Sequence, residues 1–206
     1  MTDKLAHYRD ALQALGQERI ADLTEASTAR YALDDAYERA LDYCLEQGFW
    51  NFAMRAMLLD PSASVEPAFG YAYAFEKPAD WVRTYELSDN ERFDPPLLDL
   101  RDEAGTWYAD CDPLYVRIVS KDAAYGRDLS RWPESFANFA ALYLARRVAK
   151  RITGAEPSAE LLSELKRAKS DALAKDAMNE PPRFPPAGTW VRSRLAGVAG
   201  RENGGW

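Results

Sequence analysis

Six carboxylates fall between residues 94 and 112: Asp94, Asp99, Asp102, Glu103, Asp110 and Asp112. Two carboxylates held at a fixed separation do acid–base work on glycosidic bonds. An Asp-x-Asp pair such as Asp110 and Asp112 can ligate a divalent cation through oxygen. Aspartate and glutamate also shape and solubilise turns, and nothing in this spacing separates the six from solvated turn residues. The cluster is therefore read as turn chemistry, with a small hydrolase as the alternative.

Other reactive constellations are missing. The sequence has no G-x-x-x-x-G-K-[ST], G-x-G-x-x-G or G-x-S-x-G, so neither a phosphate cradle nor a nucleophile elbow is indicated. The single histidine, His7, has no second histidine or nearby cysteine to complete a zinc set, and a surface position on a helix is expected for it. Cys44 and Cys111 are too few and too far apart for a disulfide framework and read as reduced thiols. No catalytic, cofactor-binding or metal-ligating residue is assigned, and the chain is read as a non-enzyme. Tyr71, Tyr73, Phe75, Trp81 and Tyr85 have the stacking surface for bases or sugars. With only Lys77 and Arg83 beside them, they read as sheet core and subunit contact.

The elements that would position these side chains fall into three zones. Leu5, Tyr8, Leu12 and Leu15 recur at helical spacing before Gly16 and predict a first helix over about Lys4 to Leu15. A second helix is predicted over about Thr28 to Gln47, with Leu33, Tyr37, Ala40, Leu41, Cys44 and Leu45 as its apolar stripe and Gly48 as a left-handed stop. The dense apolar run Phe49 to Leu58 suggests one more short helix. From Pro61 to Asp122 prolines recur and aromatics alternate, as half-buried strands require. Glu103-Ala104-Gly105 marks a hairpin turn, and Leu114 to Val119 is the strongest strand. Helices return at Pro133, with Phe136, Phe139, Ala140, Tyr143, Leu144, Val148 and Ile152 on one face and Gly154 as the stop. A fourth, from about Ser158 to Met178, has only a thin stripe: Leu161, Leu165, Ala168 and Ala172.

The expected class is α+β: mainly helical, about four helices, with an inserted small antiparallel β-sheet and an extended C-terminal arm. Residues 1–180 read as one domain, with helical halves at 1–60 and 130–178 around a β-rich insertion at 65–122, and residues 181–206 as a tail.

The 206 residues are 47% hydrophobic with a formal charge of −7, enough apolar content for a core and too acidic for sequence-specific DNA binding by the whole surface. An acidic lining would instead let a passing duplex slide. No apolar signal region opens the chain and no run of 18 apolar residues occurs, so neither export nor a membrane span is expected. The charge is uneven. Residues 181–206 hold four arginines and one glutamate, net +3, leaving −10 on the rest. Pro181-Pro182-Arg183-Phe184-Pro185-Pro186 favours extended backbone. Aromatic anchors with arginines on an extended segment suit docking on a partner, and Phe184, Trp190, Arg192 and Arg194 are the expected contacts.

Several segments, in order, resemble the head-to-tail adaptor of short-tailed phages, the tail tubular protein A family. They are Tyr8 to Leu15 with Gly16-Gln17-Glu18-Arg19-Ile20; Gly48-Phe49-Trp50-Asn51-Phe52-Ala53; Phe69 to Phe75 followed by Lys77-Pro78-Ala79-Asp80-Trp81-Val82-Arg83; Trp132-Pro133-Glu134-Ser135-Phe136; and Pro185-Pro186-Ala187-Gly188-Thr189-Trp190-Val191-Arg192. The resemblance implies a ring subunit, dodecameric in that family, between the portal protein and the tail nozzle protein. It also implies a lumen that passes genomic DNA without reading it, assembly in the host cytoplasm, a final place in the virion neck, and no catalytic residue.

Overall fold

The computed structural model describes residues 3–68 and 70–179. Its elements run α1 (Lys4–Ala14), α2 (Thr28–Glu46), a 3-10 turn (Asn51–Ala53), β1 (Met54–Leu59), β2 (Tyr73–Glu76), β3 (Trp81–Ser88), β4 (Arg101–Glu103), β5 (Thr106–Ala109), β6 (Leu114–Ser120), a second 3-10 turn (Leu129–Arg131), α3 (Glu134–Thr153) and α4 (Ala159–Met178). The class is α+β, as the sequence leads one to expect.

Three helices start on side-chain caps. The Asp3 carboxylate accepts from Ala6 N–H at 2.7 Å, Ser27 Oγ from Arg30 N–H at 3.3 Å and Ser158 Oγ from Leu161 N–H at 3.1 Å. Each satisfies a backbone donor that the first turn would otherwise leave unpaired. Helix α3 follows Pro133 and stops at Gly154, whose φ of 74° suits glycine alone at little cost. Helices α1, α2 and α4 all pack on α3, and eleven of its twenty residues are buried. A helix enclosed on most sides must be apolar on most sides, which explains why its apolar face is so broad.

The strands form two antiparallel three-stranded sheets, β1-β6-β3 and β2-β5-β4, where a single sheet was expected. The turn between β4 and β5 is the two-residue loop Ala104-Gly105, with φ of 48° and 83°. Positive φ at both positions matches the twist of the flanking strands. The two sheets share a core of Phe75, Leu87, Trp107, Ala109, Leu114, Val116 and Ile118. The opposite face of the first sheet meets the helices through Val119, with Met54 and Val82 packed beside it. The molecule is thus three tiers: helices, first sheet, second sheet.

Four expectations change. Phe49 to Leu58 is not a short helix: only Asn51–Ala53 turns, and Met54–Leu59 is strand, paired with β6 from Met54↔Val119 to Leu59↔Leu114. An unbroken apolar run has no period to favour strand over helix; the partner sixty residues away decides. The strand-bearing part of the chain therefore begins at Met54. His7 is fully buried, with its ring against Tyr37 and Trp132. It lies on the face of α1 that docks on α3. Gly48 does not have positive φ. A Cβ there would sit 2.7 Å from Leu173 Cδ2 and 3.0 Å from the Trp50 ring, so a larger residue would push the Leu173 side chain aside.

Candidate interaction surfaces

The acidic residues divide by what they hold. Tyr71 O–H donates to Asp99 at 2.9 Å, and this bond, with Asp99's charge, raises the Tyr71 pKa. Ala72 N–H donates to Asp110 at 2.7 Å. Lys77 ion-pairs with Asp102 at 2.7 Å while its ammonium lies 3.7 Å from the Trp81 ring centroid. Asp94 and Asp112 precede Pro95 and Pro113 in loops. Three of the six carboxylates thus fasten the approach to β2 and the lysine that follows it. Asp99, Glu103 and Asp110, with Tyr71, Arg101 and Tyr108, line an open cleft of about 440 Å³ on the second sheet. All three acids are exposed. Among the described residues, no three His, Cys, Asp or Glu side chains are placed to hold a metal ion.

Cys44 is buried in the helical core, and burial pushes its thiol well above the usual range. A thiol kept protonated is a packing group, as its place on the apolar stripe of α2 suggests.

Local and long-range ties meet around Trp50 and Trp132. Trp50 Nε1 donates to the Cys44 carbonyl at 3.0 Å, and Trp132 Nε1 to the Gly126 carbonyl at 2.9 Å. The rings of Trp50 and Trp132 both meet Phe136, at 4.8 and 4.9 Å between centroids. Asn51 N–H donates to the Asp176 carboxylate at 3.1 Å, and Asn51 Nδ2 to the Asp176 carbonyl at 2.9 Å. This double clamp fixes the end of α4 to the chain entering β1. The Asp176 side chain is nearly buried, and its removal leaves the Asn51 donor without its acceptor. Asp176→Ala is expected to destabilise the fold by about 2 kcal/mol, read as a lower urea midpoint at unchanged slope; an unchanged midpoint would show the clamp to be incidental.

Large apolar side chains stay exposed at separate places: Tyr31 on α2, Leu58 on β1, Leu98 in the loop before β4, and Leu162 and Met178 on α4. Leu98 is 89% exposed and Met178 82%. Scattered single exposures are ordinary; these two are nearly bare. The proposed contacts Phe184, Trp190, Arg192 and Arg194 lie outside the described residues, as does the whole segment from residue 180. Also among the described residues, no helix is long and apolar enough to cross a membrane.

No family model matches the chain, and no curated protein matches it.

Proposed function

We propose that this chain is a structural adaptor subunit. It assembles into a ring, twelvefold by the resemblance stated above, between the portal protein and the tail nozzle of a short-tailed phage, and takes its final place in the virion neck. The supporting observation is where the resembling segments fall in the fold. Gly48 to Ala53 joins α2 to β1 and is clamped to α4 through Asp176. Trp132 to Phe136 opens α3 and closes over the same aromatic cluster. These segments hold the tiers together, which is the work of a scaffold. The charge separation, −10 on residues 1–180 and +3 on 181–206, suits an acidic conduit that does not retain DNA and a basic strap that seeks an acidic surface.

A ring built from one chain needs heterologous contacts, two different faces meeting around a closed circle. Mixing the full chain with purified portal protein and weighing the product by native mass spectrometry tests the reading. A portal-sized complex carrying a closed set of subunits is expected. Changing Phe184, Trp190, Arg192 and Arg194 together to alanine is expected to cut its yield about tenfold. A portal that stays bare at micromolar chain overturns the adaptor role.

A further inference from the structure

A groove runs along β3, the edge strand of the first sheet, and the loop that precedes β4. Its walls are Tyr85, Leu87, Pro96, Leu97, Leu98 and Leu100, and its volume is about 480 Å³. The loop is anchored at one point by Leu97 N–H donating to the Leu87 carbonyl at 2.8 Å. Leu98 projects beside the groove almost wholly exposed.

Two observations name the occupant. The first is where the described chain ends. Asp176 is bonded to Asn51, two residues from Phe49, whose ring meets Tyr85 at 5.2 Å between centroids. Arg83, on the same strand, covers Phe49 at 4.1 Å. The end of α4 therefore delivers the chain beside the groove wall. Five residues of extended backbone, from Asn179 to Phe184, reach at most roughly 16 Å. The second is charge. Residues 86–103 carry seven carboxylates and two arginines; Asp89, Glu91, Asp94 and Asp99 are exposed in the loop between β3 and β4, which forms one wall of the groove. Residues 181–206 carry four arginines and one glutamate.

We propose that in the unassembled subunit the groove beside β3 holds the chain's own C-terminal segment, with Phe184 against Leu98 and the following arginines over the carboxylates of 89–99. The segment is joined covalently to its site, so docking faces a high effective concentration, and even a weak contact is populated. The groove and the partner then compete for the same aromatic anchor, and joining a partner requires release from β3. The docking concerns the free chain alone; only the competition with a partner rests on the adaptor reading.

The test is a photo-crosslink in the full-length protein. Phe184→p-benzoylphenylalanine is irradiated in dilute solution, and the adduct is mapped by mass spectrometry in a mixture of 15N-labelled and unlabelled chains. An adduct within residues 84–100, joining only peptides of the same isotope, is expected. Leu98→Asp should lower its yield about tenfold, whereas Leu162→Asp, on the exposed side of α4, should leave it unchanged. Circular dichroism confirms that both variants fold. Mixed-isotope adducts, adducts elsewhere, or equal loss in both variants overturn the proposal.

Discussion

Trp50→Ala is expected to destabilise the protein by about 4 kcal/mol, the middle of the range for deleting a buried aromatic. Trp50 is 1% exposed. Its ring packs on Phe136 at 4.8 Å, Phe52 at 6.2 Å and Phe139 at 6.4 Å. Gly48 is bare so that Leu173 of α4 can approach this ring. Alanine leaves a cavity among α2, α3 and α4 and takes away one of the two donors to the Cys44 carbonyl, which keeps only the 3.3 Å bond from Gln47 N–H. Domains of this size hold about 5–15 kcal/mol in all, so the loss takes a large share. Trp50→Phe keeps most of the packing and loses the hydrogen bond, and about half the effect is expected. Urea unfolding at pH 7.5 reads both values; a loss under about 1 kcal/mol for Trp50→Ala would show the cluster to be replaceable.

Acid is expected to destabilise the fold through His7 well before carboxylates protonate. Burial lowers the His7 pKa from 6.5 to about 4, and the Ala140 backbone offsets only part of that fall. Neither ring nitrogen makes a hydrogen bond of normal geometry, and the Tyr37 hydroxyl beside it is also unpaired. The folded state therefore keeps the imidazole neutral. The stability this gives is complete above pH 6.5 and drains as pH falls towards 4. It amounts to about 2 kcal/mol by pH 5 and about 3 kcal/mol below pH 4.

The groups around it do not mask this. Asp34 is held low because the Tyr8 hydrogen bond and the Lys4 and Arg30 charges outweigh burial, and its contribution is lost only below its unfolded value of 3.8. Asp10, raised by burial and by Glu134, acts in the opposite sense. The readout is therefore the difference between wild type and His7→Leu in urea unfolding at pH 7.5 and pH 5. The wild type should lose about 2 kcal/mol more than the variant. Parallel losses would mean that the imidazole is solvated.

Local signals made the helices legible. Ser158 opens α4, Gly154 stops α3, and the apolar stripes of α2 and α3 are the faces that are buried. The Ala104-Gly105 turn and β6 were legible for the same reason: each is decided within a few residues. What was not legible depends on distant partners. Met54–Leu59 is a strand because Leu114–Ser120 lies beside it. His7 is buried because α1 lands on α3 with that face down, and a lone polar residue in a short stripe gives no hint of it. Gly48 is set by Leu173, 125 positions on, not by its own backbone angles. Of the site residues, the carboxylates of 99, 102 and 110 prove to be fasteners for residues 71, 72 and 77. Their exposed turn positions were readable; their partners across the sheet were not.

Strand β6 is common to both cores: Val119 belongs to the helical one and Ile118 to that between the sheets. Load on the outer sheet thus reaches the helices through the first sheet, with β6 at its centre and Met54 and Val82 on the strands either side. Antiparallel neighbours flank this strand on both sides. A pull along its axis strains every rung of both ladders at once, whereas a sideways pull opens them one by one. The first sheet is therefore built stiff against sliding of its strands and compliant against peeling. Under load, such a part passes thrust along the strand direction and gives way first to twist.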